Sequence, residues 1–249
     1  MSRIIITGAT GVAGLAVYRA ALTDPAVAKV TLLTRRAVPA WAVLPPNAAE
    51  KTETIIHADF KTYPPELAAR LAEHDALVWA MGKTSAGMSE QAYTELTLEY
   101  PVAAARALTE AGAGSGRDAP FRFVYVSGEQ ADPTEKSRQM WARVKGRAER
   151  ELPEIMKDAN MKTHVFRPGY FFPSKDYPED RQNLRGPLLR GLDAVIGPVF
   201  NTLAPSAITP TELLGRFCVD LAKGRWPEQD LSRNGEMRTM MKDVPFSQT

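Results

Sequence analysis

Short apolar runs alternate with amphipathic stretches along about the first 170 residues of the chain. Six runs rich in β-branched and aromatic residues predict β-strands at 3–7, 29–34, 54–57, 76–80, 121–127 and 163–166. Apolar positions at helical spacing predict helices at 12–22, 64–74, 89–111 and 135–159. Strands that alternate with helices in this way predict an α/β fold, a doubly wound parallel sheet with helices on both faces.

Proline and charge change this pattern in two places. Pro101 lies inside the predicted helix at 89–111 and should kink or split it. After Gly169 the alternation ends, and the stretch from 173 to 187, with its prolines and charges, predicts a mobile loop. Helices are predicted at 188–196 and 211–223, and a late strand at 237–241. We expect one Rossmann domain over 1–249, in which 170–249 supply a substrate loop and C-terminal helices.

Composition narrows the classes of protein that fit. The 31 basic and 29 acidic side chains give a net charge of +2, too even a balance to attract nucleic acid or a membrane surface. Cys218 is the single cysteine, and His57, His74 and His164 form no ligand cluster, so we assign no metal. The first apolar run is too short for a signal peptide, and no run is long enough to span a bilayer. We expect a cytoplasmic protein that acts on a small molecule.

The turn from Thr7 to Gly14 carries the first functional signal, with glycines at 8, 11 and 14 between a predicted strand and a predicted helix. Gly8 permits the tight turn, Gly11 lets the backbone approach a pyrophosphate, and Gly14 lets the helix pack on the strand. The helix N-terminus then offers unpaired N–H groups to the phosphates. We predict a dinucleotide site that includes Thr10 and Val12.

The end of the second predicted strand indicates which dinucleotide binds there. An NAD site usually places an acidic residue there for the ribose 2′-hydroxyl, but this chain has Arg35 and Arg36. Guanidinium groups pair with phosphate, so the sequence favours NADP over NAD, with a solvated basic pair as the alternative. Asp59, after the third strand, is either an acceptor for the adenine amino group or a turn cap.

These motifs together resemble the short-chain dehydrogenase/reductase superfamily in its extended and atypical branch, which includes Tat-interacting-protein-like oxidoreductases and proteins similar to sugar-nucleotide epimerases. The resemblance covers about the first 170 residues. Its motifs, in the order of the family, are the glycine turn, 78–82 (Val-Trp-Ala-Met-Gly), 124–127 (Val-Tyr-Val-Ser), 145–146 (Lys-Gly) and 167–169 (Arg-Pro-Gly).

The resemblance implies a reductase fold with strand order 3-2-1-4-5-6 and a cofactor across the carboxyl ends of the strands. It implies that Ser127 orients the substrate and that Lys145 holds the nicotinamide ribose and acidifies a tyrosine. The residues that it places against the cofactor are Ala80, Met81, Gly82, Pro168 and Gly169.

One position departs from the family pattern. The family has tyrosine four residues before the lysine, and this chain has Trp141, whose indole donates a hydrogen bond but is no acid or base near neutral pH. Glu129, Asp132 or Tyr170 could supply the proton instead. The favoured hypothesis is an NADP-dependent oxidoreductase for a small carbonyl or alcohol. A non-redox isomerase or cyclase, and a catalytically silent NADP sensor, stay open, as does a homodimer formed through the long helices.

Overall fold

A seven-stranded parallel sheet forms the centre of the protein in the computed structural model, which describes residues 1–184, Gly186, Gly191 and residues 207–245. Its strands are β1 (Ser2–Thr7), β2 (Val27–Thr34), β3 (Thr52–Ile56), β4 (Ala76–Trp79), β5 (Phe121–Val126), β6 (Met161–Arg167) and β7 (Leu231–Arg233). Their order is β3-β2-β1-β4-β5-β6-β7. The predicted α/β class and the order of the first six strands are confirmed, and β7 is a further edge strand.

Helices cover both faces of this sheet. In the described residues they are α1 (Val12–Thr23), α2 (Ala48–Lys51), α3 (Pro65–Ala72), α4 (Glu90–Thr94), α5 (Tyr100–Glu110), α6 (Met140–Met156), α7 (Pro178–Leu184), α8 (Thr211–Ala222) and α9 (Asn234–Met240). A π-helical turn, Glu95–Glu99, joins α4 to α5. None of the helices in this part of the chain is long and apolar enough to cross a membrane.

The alternation of side chains along β1 shows how the two layers form. Ile4 and Ile6 pack on one face with residues of α1 and α8, and Ile5 packs on the other with residues of α5 and α6. All three isoleucines are fully buried, as expected for a central strand covered on both faces. Helix α8 lies directly against α1 and leaves no room for a side chain at Gly215, where a Cβ would lie 2.4 Å from the carbonyl oxygen of Ala16.

Pro101 interrupts the predicted helix at 89–111, and the interruption takes the form of the π-helical turn. Because Pro101 has no N–H, the carbonyl of Thr97 loses its usual helical donor. The hydroxyl of Tyr125 donates a 3.0 Å hydrogen bond to that carbonyl from the end of β5. A side chain of the sheet therefore satisfies the backbone group that proline leaves unpaired.

The helix predicted at 135–159 begins later, at Met140. The Asp132 carboxylate accepts hydrogen bonds from the backbone of Thr134 at 2.9 Å and of Ser137 at 2.7 Å, which holds the preceding residues in a turn. Glu135 adopts φ +58° and pairs with Arg147 and Arg150 of α6. Its pKa falls to about 2 because these two guanidinium groups stabilise the carboxylate.

Two predictions for the C-terminal region were wrong. The stretch predicted as a loop contains α7, which Asp180 fixes by a buried 2.5 Å ion pair with Arg19 of α1. Most of the stretch predicted as a strand, 237–241, is instead part of helix α9. Met237 lies on the side of this helix that packs in the core. The helix predicted at 188–196 falls mostly outside the described residues.

Candidate functional site

A cleft of about 830 Å³ lies at the carboxyl ends of β1, β2, β4, β5 and β6, which is the usual position of the ligand in an open α/β sheet. Its lining residues in the described chain are Gly8, Thr10, Gly11, Val12, Ala13, Thr34, Arg35, Arg36, Ala80, Met81, Gly82, Lys83, Thr84, Tyr93, Leu96, Thr97, Tyr125, Val126, Ser127, Lys145, Gly169, Tyr170 and Phe171. Most of the residues predicted to bind the cofactor are in this set.

The glycine turn is closely packed on one side and open on the other. Gly8 has φ +73°, and a Cβ there would lie 2.5 Å from the carbonyl oxygen of Ala80, so only glycine fits. A Cβ at Gly14 would lie 2.1 Å from the carbonyl oxygen of Gly8, which brings α1 against the turn. At Gly11 the nearest atom would be 3.5 Å away. Gly11 also has no side chain to cap the first-turn amides of α1, which begins at the cleft.

The charge of the cleft has one sign. Arg35, Arg36, Lys83 and Lys145 line it, and no carboxylate does so among the described residues. Arg35 and Arg36 are exposed at the end of β2 and form no ion pair with the described part of the chain. Lys83, which the sequence analysis did not identify, adds a third exposed cation from the segment after β4. The site therefore suits a ligand with several negative charges.

Ser127 and Lys145 meet at the end of β5. The Nζ of Lys145 donates a 2.6 Å hydrogen bond to the carbonyl oxygen of Ser127. The Ser127 hydroxyl is buried and has no hydrogen-bond partner among the described residues, although it lines the cleft. Burial lowers the pKa of Lys145 to about 8, and the charge of Glu149, one helical turn away, opposes this change.

Glu149 is itself held by Arg167, whose Nε lies 2.9 Å from one carboxylate oxygen while its Nη2 donates to the other. Both side chains are buried, at 3% and 12% exposure. The pair joins α6 to the end of β6, directly before the Pro168–Gly169 turn. It therefore fixes the helix that carries Lys145 against the sheet.

Trp141 shares a helix face with Lys145 but lies outside the described lining of the cleft. Both side chains lie beside Gly128, where a Cβ would be 3.9 Å from the Trp141 ring and 3.8 Å from the Lys145 Nζ. The Trp141 indole N–H donates to the side-chain oxygen of Gln139. The indole is therefore engaged at the start of α6.

The acidic candidates for proton donation serve structural bonds. Glu129 accepts from Arg233 at 2.6 Å and from the backbone of Asn234 at 3.2 Å, and it joins β5 to β7 and α9. Asp132 caps the turn before α6, and its pKa is lowered because Thr134 and backbone N–H groups stabilise the carboxylate. Neither carboxylate is among the described residues of the cleft. Tyr170 does line it, 42% exposed, with its ring edge against Phe172.

Three residues predicted to bind the cofactor, Gly14, Asp59 and Pro168, lie outside the lining, and Gly14 instead packs on the Gly8 carbonyl. Asp59 accepts bonds from the backbone of Lys61 at 3.0 Å and the hydroxyl of Thr62 at 2.8 Å, as a turn cap does. Its contact with adenine stays a prediction. Pro168 accepts a backbone bond from Glu129 at 3.0 Å, and its neighbour Gly169 reaches the cleft.

One wall of the cleft, formed by α4 and the π-helical turn, contains no residue that was predicted from the sequence. Tyr93, Leu96 and Thr97 line it at positions i, i+3 and i+4 of a continuous helical face. Tyr125 lies across from them at the end of β5. The spacing of these three residues is visible in the sequence of the helix that follows β4. The same spacing also fits a helix face buried in the core, so it does not by itself identify a cleft wall.

Several known proteins are similar to this chain in sequence. No protein-family model matches the chain. The chain is 29% identical over 163 residues to leucinostatins biosynthesis cluster protein T of Purpureocillium lilacinum, covering 65% of this chain but only 55% of that relative. It is 35% identical over 108 residues to botcinic acid biosynthesis cluster B protein 16 of Botryotinia fuckeliana, covering 42% of this chain and 68% of that relative.

Solved structures share the fold over nearly the whole chain. L-sorbose reductase from Gluconobacter frateurii, complexed with NADPH and L-sorbose, has a TM-score of 0.65 at 19% identity, covering 94% of this chain and 96% of its own. The 3-oxoacyl-[acyl-carrier protein] reductase from Brucella melitensis, in complex with NAD, has a TM-score of 0.65 at 15% identity, covering 94% and 95%. The chain therefore has the fold of the short-chain dehydrogenase/reductases and belongs to the family of the botcinic acid cluster protein.

Proposed function

We propose that the protein is an NADP-dependent oxidoreductase, of the atypical short-chain dehydrogenase/reductase type, for a small carbonyl or alcohol substrate. The observation that carries this proposal is the cleft itself. A glycine turn that tolerates no Cβ at Gly8 or Gly14 opens into a cavity with two exposed arginines and no carboxylate among its described residues.

The residues present fit this cofactor. The Gly8–Gly14 turn and the first turn of α1 would hold the pyrophosphate through backbone N–H groups. Arg35 and Arg36 would pair with the 2′-phosphate, and Ala80, Met81 and Gly82 would line the cofactor after β4. NADPH supplies a hydride when bound. The chain has to hold the substrate carbonyl, exclude water and provide a proton.

Ser127 and Lys145 suit the first of these tasks. The unpartnered hydroxyl of Ser127 would donate to the substrate oxygen, since a buried hydroxyl without a partner in the described chain is costly unless a ligand satisfies it. Lys145, bonded to the Ser127 carbonyl, would hold the nicotinamide ribose. We propose that residues 170–249 cover the substrate, with Tyr170 and Phe171 at the entrance of the cleft.

Turnover of NADPH with a panel of carbonyl compounds tests the proposal. The panel includes L-sorbose, a β-ketoester and an aromatic diketone, because two relatives are named for biosynthesis clusters and the substrate class is open. We expect NADPH oxidation that requires both the carbonyl compound and the protein. Tight NADPH binding without consumption over the whole panel would overturn the oxidoreductase assignment.

Trp141 favours a second candidate, a catalytically silent NADP-binding regulator. Its indole is bonded to Gln139 and lies outside the described lining, so the usual tyrosine chemistry is absent at this position. On this alternative Trp141→Tyr creates or raises reductase activity without changing NADPH affinity. A non-redox isomerase or cyclase would convert its substrate with no net change in NADPH absorbance, which product analysis on the same panel separates from both.

Location and assembly are also proposals. We propose a cytoplasmic protein, although a relative that matches 88% of this chain at 25% identity is named protein fmp52, mitochondrial, of Emericella nidulans. We propose that two copies pair through the α4–α5 and α6 helices. Fractionation of tagged protein and the mass in solution check these two expectations.

A further inference from the structure

Three tyrosines line the cleft, and they differ in what their surroundings allow. Tyr125 is fully committed, since its hydroxyl donates to the Thr97 carbonyl. Tyr170 follows β6, is 42% exposed and packs edge-on against Phe172. Tyr93 is 2% exposed, yet it lines the cleft from α4 together with Leu96 and Thr97.

We propose that Tyr93 is the catalytic proton donor of this protein, in the role that Trp141 cannot perform. This inference rests on the proposed oxidoreductase function. Its basis is that α4 and the π-helical turn bring the buried Tyr93 side chain to the lining of the same cleft that Ser127 and Lys145 line, while both acidic candidates are bonded elsewhere.

The position of Tyr93 suits a group that is buried in the protein but reaches a ligand. It lies two turns before Pro101, whose π-helical turn rotates the helix face that follows. Thr97 lies beside the Tyr93 hydroxyl on the same face, and burial raises the pKa of that hydroxyl above its ordinary value. The phenol is therefore protonated at neutral pH, as a donor must be.

In the reduction of a ketone the hydride comes from the cofactor and the proton from the protein. The carbonyl carbon accepts the hydride that the reduced nicotinamide supplies, and the π bond of the carbonyl breaks. The carbonyl oxygen takes the proton of the Tyr93 hydroxyl, and a proton from water restores the phenol. One NADPH is oxidised, one proton is consumed and one alcohol is formed. Ser127 donates a hydrogen bond to the same oxygen and transfers no proton.

Tyr93→Phe tests the assignment, with Tyr100→Phe as the matched control. Tyr100 begins α5, and its hydroxyl donates to Glu95 at 2.7 Å outside the described lining of the cleft. On the most active carbonyl compound of the panel we expect Tyr93→Phe to lower the single-turnover rate about hundredfold or more, a typical loss for a general acid. NADPH affinity should stay within about threefold in both variants, and the control should keep its rate.

A second readout needs no turnover. For an NMR titration, tyrosine is labelled at the ring carbon that bears the hydroxyl. The Tyr93 resonance is identified as the one missing from the spectrum of Tyr93→Phe, and NADP⁺ is then added to the wild-type protein. The positive nicotinamide ring should lower the pKa of Tyr93, because a nearby cation favours the phenolate. The Tyr100 resonance should not respond.

The outcomes separate the two proposals. A wild-type protein that binds NADPH but reduces no carbonyl contradicts the oxidoreductase function. A wild-type protein that reduces the substrate, with Tyr93→Phe equally fast and the Tyr93 resonance unmoved by NADP⁺, overturns the assignment of Tyr93 alone.

Discussion

The Nζ of Lys145 lies 2.6 Å from the carbonyl oxygen of Ser127 and donates a hydrogen bond to it. This bond fixes a half-buried cation at the point where β5 meets the cleft, and it ties the Lys145 side chain of α6 to the backbone of the sheet. The protonation state of Lys145 consequently governs the charge at this end of the site.

Affinity for NADPH should depend on pH through this residue. The pKa of Lys145 is about 8 in the folded protein, below its ordinary value, so the ammonium is present below pH 8 and is lost as pH rises through it. We expect the logarithm of the NADPH association constant to turn downward near pH 8. Titration by NADPH fluorescence checks this, with Lys145→Gln expected to lack the break. A straight profile for the wild-type protein would contradict the assignment.

Glu149→Gln should move that break to lower pH. The Glu149 carboxylate opposes the effect of burial on Lys145, so its neutralisation removes a charge that favours the ammonium. The change also leaves Arg167 buried without its partner, and we expect a loss of about 3 kcal/mol in the free energy of unfolding. Glu154→Gln is the control, since Glu154 is 69% exposed and its pair with Lys157 contributes little.

Replacing both Arg35 and Arg36 by serine should erase the preference for NADPH over NADH. Each guanidinium that pairs with the 2′-phosphate contributes a charge-assisted hydrogen bond, so NADPH affinity should fall by about tenfold to hundredfold. NADH affinity should stay nearly constant, because NADH lacks that phosphate. Calorimetric titration with both cofactors measures the two effects. Equal affinities in the unaltered protein would show that the pair at the end of β2 has no part in cofactor choice.

Gly14→Ala should disrupt the dinucleotide turn. The added Cβ would lie 2.1 Å from the Gly8 carbonyl oxygen, so α1 must move away from the turn. We expect a loss of about 1–3 kcal/mol or more in unfolding free energy, with NADPH binding strongly weakened. Gly235→Ala is a suitable control, since the same addition meets no atom within 4 Å. Denaturant unfolding and NADPH titration of both variants decide the matter, and a Gly14→Ala protein indistinguishable from wild type would refute the steric argument.

Tyr125→Phe should destabilise the fold through a backbone group. The Thr97 carbonyl already lacks its usual donor four residues ahead because of Pro101, and Tyr125→Phe removes the hydroxyl that donates to it from the sheet. Leaving a buried carbonyl unsatisfied costs about 1–3 kcal/mol. Thermal or denaturant unfolding measures the change. Tyr100→Phe, which removes a hydroxyl from a more exposed bond to Glu95, should cost less.

The sequence predicted the features that are local in the chain. Runs rich in β-branched and aromatic residues define β1 to β6, and the glycine turn and arginine pair each occupy one short segment. β7 was missed because it has three residues, of which Ser232 alone is buried, so no alternation is visible. Helix α7 was missed because the ion pair that fixes it joins Asp180 to Arg19, far apart in the sequence.

The residues of the site also fall into two groups, those that local sequence motifs predict and those that only the packing of the helices brings to the cleft. Ser127 and Lys145 follow from ordered motifs, but the wall formed by Tyr93 and Thr97 depends on how α4 and the π-helical turn pack against β5. A tyrosine at helical spacing has the same pattern whether it faces a core or a ligand. Only the tertiary structure shows that Tyr93 is both buried and in contact with the cleft.

The contact between Gly215 and Ala16 links the two ends of the chain. Because α8 meets the backbone of α1 with no room for a side chain, helix α8 packs behind the helix that follows the glycine turn. A shortened protein that ends before α8 would uncover that helix and lose the turn with it. The inner face of α8 therefore has to keep its shape for α1 to hold its place against the sheet.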